Sequence, residues 1–250
     1  MGRDYTRKYD VELNKVNATY AHDLADAGNL LATVYQYKDH TIFWSAPQNY
    51  APGAGNAPGI PVSANDAYTT NNDYHQAQLG AKGEWRNQGG AWAWMGGVDL
   101  RHNQYLNYNT ALRDYCSSPL CNYGNNFTKV VTAGNVLQND QTDERTQAMY
   151  GELKWAVRPD WVFTGNLRAD TIGLEYKGQP SNGNPSAVEK SKDFNALSWR
   201  LGGNWQAQAD TNYFANASTG FRTPTAAQLY AGSVSPTGGV ASNENLKPET

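Results

Sequence analysis

The chain has 250 residues, among them 16 Tyr, 8 Trp and 24 Gly, and only 17% of its residues are charged. This composition favours β structure with many turns, and the length suits one large β domain or two smaller ones. The formal net charge of -3 and the lack of a basic block argue against a nucleic-acid partner. Mean hydropathy is -0.71 and no run of 18 apolar residues occurs, which excludes a transmembrane helix. A soluble β protein or a β-barrel remains, because the membrane signal of a barrel is weaker in each segment.

The N-terminal stretch MGRDYTRKYD carries three basic residues, but no apolar segment follows them. It is therefore not a secretory signal. If the protein belongs outside the cytoplasm, we expect that Met1 is not its natural start.

Alternation of apolar and polar residues with a period of two predicts a series of strands. In chain order they lie near residues 9–20, 30–43, 75–85, 91–101, 149–155, 161–170, 197–205 and 212–222. The first two are the least regular. In the first, Val11 and Leu13 are out of phase with the apolar residues that follow them. A β-bulge near Asn14 or Lys15 would restore the phase.

Five of these segments have one apolar and one polar face. The apolar faces carry Ala77, Leu79, Ala81, Trp85, Trp92, Trp94, Val98, Leu100, Trp161, Phe163, Leu167, Ala169, Leu197, Trp199, Leu201, Trp205, Tyr213, Ala215, Ala217 and Phe221. The charged residues of the polar faces are Lys82, Glu84, Asp99, Arg101, Arg168, Asp170, Arg200 and Arg222. The polar face must therefore meet water, while the apolar face meets either a protein core or lipid.

The links between these strands alternate in length. Short links fall near residues 22–29, 86–90, 156–160 and 206–210, and long links fall near residues 45–72, 103–144, 171–194 and 223–248. This alternation is the rule for outer-membrane barrels, which have tight periplasmic turns and extended outer loops. A soluble sandwich has no reason to place every long loop at one end.

Six of the eight tryptophans lie beside the short links. They are Trp85, Trp92, Trp94, Trp155, Trp161 and Trp205. An indole has an apolar body and one N–H donor, which suits the lipid headgroup boundary, so these residues predict one aromatic girdle. Core tryptophans of a β-sandwich are the alternative, and the alternating loop lengths favour the barrel.

Two parts of the sequence resemble the TonB-dependent outer-membrane receptors. The stretch AMYGELKWAVRPDWVFTGNLRAD, residues 148–170, is similar to a strand, tight turn and strand of that family, although Asn166 interrupts the spacing of its last motif. The stretch WRLGGNWQAQADTNYFANASTGFRTPTAAQLY and the following NENLKPET resemble the family more specifically. The resemblance covers residues 148–250, while residues 1–147 agree in pattern alone.

The resemblance implies an all-β fold, an antiparallel transmembrane β-barrel with short periplasmic turns and long extracellular loops. Barrels of this family have roughly 22 strands around a plugged lumen, whereas about eight are predicted here. We therefore expect residues 1–250 to be an internal piece of the barrel domain, without its plug or C-terminal strands. The implied location is the outer membrane of a Gram-negative cell.

The implied function is uptake of a scarce nutrient with energy from the TonB complex, which acts through the absent plug. The partners are outer-membrane lipid and a small ligand, and the function needs no cofactor. The residues agree that the chain is not an enzyme, because His22, His40, His75 and His102 are scattered and no catalytic grouping or metal motif appears.

A ferric siderophore is the favoured ligand class. Haem receptors of this family carry a His between the two motifs that here read FRTP and NENL, because imidazole supplies an axial iron ligand. In this chain the stretch between them, TAAQLYAGSVSPTGGVAS, contains no His. Cobalamin remains open, followed by a passive porin and a soluble β-sandwich binding module.

The longest loop offers candidate ligand contacts. Aromatic faces and a fixed cation lie there, at Tyr105, Tyr108, Arg113, Tyr115 and Tyr123, and the FRTP stretch adds Tyr230. Such groups suit an anionic, ring-bearing ferric siderophore, although Tyr is also common in long outer loops. Cys116 and Cys121 are too few for a structural zinc site. In an oxidising compartment a small disulfide is expected, with free thiols as the alternative.

The polar strand faces would line the lumen of a barrel. The family resemblance implies that charged residues on these faces contact the plug. They are Arg101, Arg168, Asp170, Arg200 and Arg222.

Overall fold

The computed structural model describes residues 8–44, 48–49, 67–68, 70–112, 115–116, 130–181, 186–231 and 242–249. Over these residues the strands are β1 (Tyr9–Asp23), β2 (Asn29–Trp44), β3 (Gln48–Asn49), β4 (Ala67–Tyr68), β5 (Thr70–Gly89), β6 (Trp92–Ala111), β7 (Tyr115–Cys116), β8 (Val130–Val131), β9 (Val136–Arg158), β10 (Trp161–Gly178), β11 (Val188–Gln208) and β12 (Thr211–Ser218). The eight longest form one antiparallel sheet in the order β1-β2-β5-β6-β9-β10-β11-β12, while β3 pairs with β4 and β7 with β8. The predicted all-β class with about eight antiparallel strands is confirmed.

Helical structure is confined to two short segments of the described chain, a 3-10 turn at Ala25–Ala27 and a π-helical turn at Ala227–Ala231. No helix in this part of the chain has the length and apolar character needed to cross a bilayer.

Short turns join the long strands at one end of the sheet. They comprise residues 24–28, 90–91, 159–160 and 209–210. Gly28 has a φ of 96°, and a Cβ at this position would lie 2.2 Å from the carbonyl oxygen of Arg86, so glycine is required. The longer connections, residues 45–69, 112–135 and 179–187, join the strand ends at the other end of the sheet. The predicted alternation of short and long connections is confirmed.

One face of the sheet is apolar and exposed. Met149, Leu167 and Leu201 are 69%, 55% and 60% exposed, which is the reverse of a soluble core. On β5 this apolar band runs from Trp85 to Ala77, after which the same face becomes polar at His75. At about 3.3 Å per residue and a strand tilt of about 40°, the band is roughly 20–25 Å tall, close to the apolar band of outer-membrane barrels. We call this the outward face.

The six girdle tryptophans lie on the outward face beside the short turns. Trp92 stacks on Trp155 with ring centroids 4.9 Å apart, and Trp161 stacks on Trp205 at 5.4 Å. Trp85 meets Trp94 edge to face at 5.1 Å and donates its indole N–H to the carbonyl oxygen of Ala27 at 2.8 Å. The predicted girdle therefore forms through contacts between neighbouring strands.

The opposite face, here called the inner wall, carries the polar side chains. Two of its bonds reach across an intervening strand: Tyr150 on β9 donates to Glu84 on β5, and Arg168 on β10 donates to Asp99 on β6. These bonds link strands that are not adjacent in the sheet.

Two strands differ from the sequence prediction. β1 pairs with β2 without a break from Tyr9 to Asp23, so the predicted bulge near Asn14 or Lys15 is wrong. Val11 and Leu13 pair with Thr41 and Asp39, beyond the apolar band, so the change of phase there needs no bulge.

The last strand, β12, ends at Ser218 rather than continuing to Arg222. The segment that follows packs on the outer end of the inner wall, where Leu229 is fully buried and Ala226 nearly so. The buried side chains of this cluster are Ile172, Leu174, Tyr176, Phe194, Ala226 and Leu229.

Candidate functional site

Arg168 is the centre of an ion network on the inner wall. Its guanidinium lies 2.8 Å from Asp170 Oδ1 and 3.2 Å from Asp99 Oδ2. The Asp170 side chain is only 2% exposed, whereas that of Arg168 is 31% exposed. A carboxylate this buried needs a charged partner, and the i to i+2 spacing on one strand face supplies it locally.

Tyr150 connects this network to a second pair of charges. Its hydroxyl donates to Glu84 Oε1 at 3.0 Å, and Lys82 Nζ lies 2.9 Å from the same oxygen. The Arg168 guanidinium and the Lys82 ammonium lie 5.7 Å and 5.3 Å from the centroid of the Tyr150 ring. Cations near an aromatic face are attracted to it, so Tyr150 stabilises both pairs.

Amide and tyrosine side chains line the inner wall toward the outer end. Gln78 donates to Asn103 at 2.7 Å, and Asn103 donates to Glu144 at 3.1 Å, which forms a chain across three strands. Above it the rings of Tyr74 and Tyr105 stack with centroids 6.1 Å apart and planes 17° apart. This region offers aromatic faces and amide groups beside the Glu144 carboxylate.

The candidate ligand residues do not all share one face. Tyr105 lies on the inner wall, whereas Tyr108 lies on the outward face with Val98 and Leu100, and both tyrosines are 40% exposed. Tyr230 lies in the π-helical turn and stacks on Tyr176 at 5.7 Å. Burial raises the pKa of its phenol, and the carboxylate of Glu244 adds to this shift.

The remaining loop candidates lie wholly or partly outside the described residues. Arg113, Tyr123 and Cys121 are outside them, and of Tyr115 and Cys116 the structure describes only the backbone, in β7. The proposed ligand roles and the Cys116–Cys121 disulfide therefore stay predictions.

The candidate lumen residues fall into four environments. Arg168 and Asp170 are paired with each other, and the Nε of Arg101 is buried without a hydrogen-bond partner among the described residues. Arg200 is exposed on the inner wall and forms no ion pair in the described part of the chain. Arg222 is not on the strand, because its backbone pairs instead with Glu249 through two hydrogen bonds of 3.0 Å.

The two stretches that carry the more specific family resemblance, residues 220–230 and 243–249, pack against each other at the outer end of the inner wall. Asn243 donates its backbone N–H to the carbonyl oxygen of Gln228 at 2.9 Å. Lys192 on β11 donates to the carbonyl oxygens of Glu244 and Leu246, and Lys190 lies 3.1 Å from the Glu244 carboxylate. These contacts fix the polar ending of the chain against the sheet.

Sequence reasoning missed the pairs that depend on strand register. Tyr35 lies across Gly80 and Tyr150 lies across Gly97, and His40 meets His75 with ring centroids 4.0 Å apart. In the sequence these histidines are separated by a long loop, and no local pattern marks them as partners.

The fold and family comparisons agree with each other. The family model described as "TonB dependent receptor-like, beta-barrel" matches residues 2–250. Among solved structures, the copper transporter OprC is similar over 96% of this chain and 35% of its own, with 15% identity and a TM-score of 0.64. The ferric-catecholate import receptor Fiu from E. coli K12, in its closed form, is similar over 87% of this chain and 34% of its own, with 15% identity and a TM-score of 0.59. The siderophore receptor PiuA from Acinetobacter baumannii is similar over 86% and 32%, with 9% identity and a TM-score of 0.57.

The chain thus spans about a third of the length of these structures. A comparison with curated protein sequences gives no significant match. At these identities the structural likeness concerns the fold, whereas the family model covers nearly every residue. That family comprises transport receptors rather than enzymes. The chain belongs to the TonB-dependent receptor-like β-barrel family.

Proposed function

We propose that this chain forms part of the barrel wall of an outer-membrane receptor that imports a ferric siderophore with energy from TonB. The observation that carries this proposal is the reversed polarity of the sheet, with Leu201 exposed on the outward face and Asp170 buried on the inner wall. An apolar band with a tryptophan girdle suits the outer membrane of a Gram-negative cell. A polar inner wall suits a plugged or water-filled lumen.

The outer end of the inner wall supports the ligand class. A ferric siderophore carries its iron in its own ligand shell, so its receptor needs groups that stack and hydrogen-bond rather than groups that bind iron. Tyr74 and Tyr105 offer such faces next to the amide chain of Gln78 and Asn103. The names of two similar structures, a ferric-catecholate import receptor and a siderophore receptor, agree with this class. Cobalamin is the competing ligand.

The test compares two tyrosines of β6 in the intact receptor that contains this chain. We expect Tyr105→Ala to raise the Kd for a ferric catecholate siderophore by up to about tenfold, since an aromatic contact contributes about 0.5–1.5 kcal/mol. Tyr108→Ala is the matched control, because this residue is equally exposed but lies on the outward face. Fluorescence titration in detergent measures both. Equal effects of the two substitutions, or binding of cyanocobalamin but of no ferric siderophore, would contradict the proposal.

The inner-wall charges are proposed to face the plug, with Arg200 as the main contact. Arg168 already has Asp170 and Asp99 as partners, so its loss perturbs the wall as well as the plug. Arg200→Ala should alter transport while ligand affinity at the outer loops stays nearly unchanged. Loss of ligand binding with normal transport per bound ligand would show that Arg200 does not serve the plug.

A further inference from the structure

Two neighbouring strands bring a pair of histidines and an aspartate together on the outward face. The register of β2 and β5 places His40 directly opposite His75, and Asp73 lies two residues from His75 on the same strand face. His40 Nε2 is 2.8 Å from Asp73 Oδ1, and His75 Nε2 is 3.1 Å from the same oxygen. The two imidazole rings are nearly parallel, with planes 14° apart.

This arrangement has the dimensions of a metal site. Metal bonds to imidazole nitrogen and carboxylate oxygen are about 2.0–2.2 Å long, so adjacent ligand atoms around one ion are separated by about 3 Å. Both separations between imidazole nitrogen and carboxylate oxygen already have this value, and one ligand atom from each of the three residues lies within 4.8 Å of the others.

The surroundings leave room for an ion and its water ligands. The side chains of His40, Asp73 and His75 are 36%, 27% and 48% exposed. A depression of about 310 Å³ adjoins the two histidines. It also contains Glu12, which lies opposite His40 on β1, and Lys38, which precedes His40 on the same face.

We propose that His40, Asp73 and His75 bind one divalent cation of the late first-row metals, with Zn²⁺ as the representative ion. Two imidazoles and one carboxylate suit Zn²⁺, Cu²⁺ and Ni²⁺, while Mg²⁺ and Ca²⁺ prefer oxygen ligands alone. The ion lies on the outward face just beyond the apolar band, away from the lumen. It therefore joins β2 to β5 at the membrane boundary and is not a transported substrate.

The experiment titrates the intact receptor in detergent with Zn²⁺ in competition with a fluorescent chelator. The wild type should bind one more equivalent than His75→Gln and His40→Gln, or bind that equivalent at least tenfold more tightly. The matched control is His102→Gln, because His102 lies on the same outward face and meets a single carboxylate, Asp143, at 3.3 Å. This control should leave Zn²⁺ binding unchanged.

A second probe identifies the ligands directly. With Cu²⁺ in place of Zn²⁺, electron paramagnetic resonance should show coupling to two nitrogens in the wild type and to one nitrogen in His75→Gln. The temperature-dependent gel shift of folded barrels confirms that each variant is folded. Equal Zn²⁺ binding by the wild type and His75→Gln, a loss as large in His102→Gln, or two nitrogens retained in His75→Gln would each overturn the proposal. Ferric siderophore binding is measured separately, so failure of this site leaves the proposed transport function untouched.

Discussion

At the scale of single residues, the wall is assembled from aromatic rings that lie over glycines of the neighbouring strand. A Cβ on Gly80 would lie 2.1 Å from the Tyr35 ring, and a Cβ on Gly97 would lie 2.6 Å from the Tyr150 ring. An aromatic side chain over a cross-strand glycine covers exposed backbone and holds the register. Glycine is therefore needed at positions 80 and 97 because the rings of Tyr35 and Tyr150 occupy the space that a side chain would fill.

The packing of the Tyr150 ring over a glycine can be tested at Gly97. Gly97→Ala should lower the free energy of unfolding by about 1–3 kcal/mol, as expected for overpacking, because the new methyl group also meets the Gly83 carbonyl oxygen at 2.7 Å. Displacement of the Tyr150 ring should break its hydrogen bond to Glu84. Gly96→Ala is the control, since a Cβ there meets nothing within 4 Å. Urea unfolding of the intact receptor in lipid vesicles measures both, and equal costs would refute the account.

At the scale of elements, each strand has a membrane part and an outer part with different chemistry. Along β11 the outward face carries Leu201, Trp199 and Leu197, and then becomes polar at Asn195. The cost of a charge on this face should depend on depth in the bilayer.

Leu201→Arg should therefore lower the stability of the folded receptor in lipid vesicles by about 2–4 kcal/mol, while Ser191→Arg should cost about 0–1 kcal/mol. The two positions share one face of β11, and Ser191 lies beyond the apolar band. If urea titrations gave the same loss of stability for both substitutions, the bilayer would not be centred on the apolar band.

Leu229 is the most buried side chain of the docked segment after β12. Leu229 is 0% exposed among Ile172, Leu174 and Phe194, and truncating a buried leucine costs about 2–5 kcal/mol. Leu229→Ala should release the segment locally, with faster amide exchange over residues 225–231 in mass spectrometry. Ala227→Ser, at an exposed position of the same turn, is the control. Unchanged exchange in Leu229→Ala would mean that the lysine contacts to Glu244 and Leu246 hold the segment.

At the scale of the whole molecule, the sheet has its apolar surface on the outside, and β1 and β12 are its open edges in the described part of the chain. Exposed apolar surface and open strand edges both promote association. We expect the 250-residue chain, expressed alone, to aggregate in buffer and to disperse only with detergent. Light scattering and thermal melts test this expectation, and a monodisperse sample with a cooperative transition in detergent-free buffer would contradict it.

Local patterns were sufficient to predict most of the architecture. The period-two alternation in segments such as residues 161–170 specifies both a strand and its apolar face, because neighbouring side chains point to opposite sides. Tryptophan position and loop length then separated a barrel from a sandwich. The outer ends of the strands were missed, as in the β6 segment beyond Arg101 and the β9 segment before Ala148, because both faces there are polar and no alternation marks them.

Contacts between distant parts of the chain were decided only by the tertiary structure. The bond from Arg168 to Asp99 joins residues 69 positions apart, and that from Tyr150 to Glu84 joins residues 66 positions apart. Such pairs depend on strand register, which no local pattern encodes. The same reason explains why His40 and His75 are scattered residues in the sequence and neighbours in the fold.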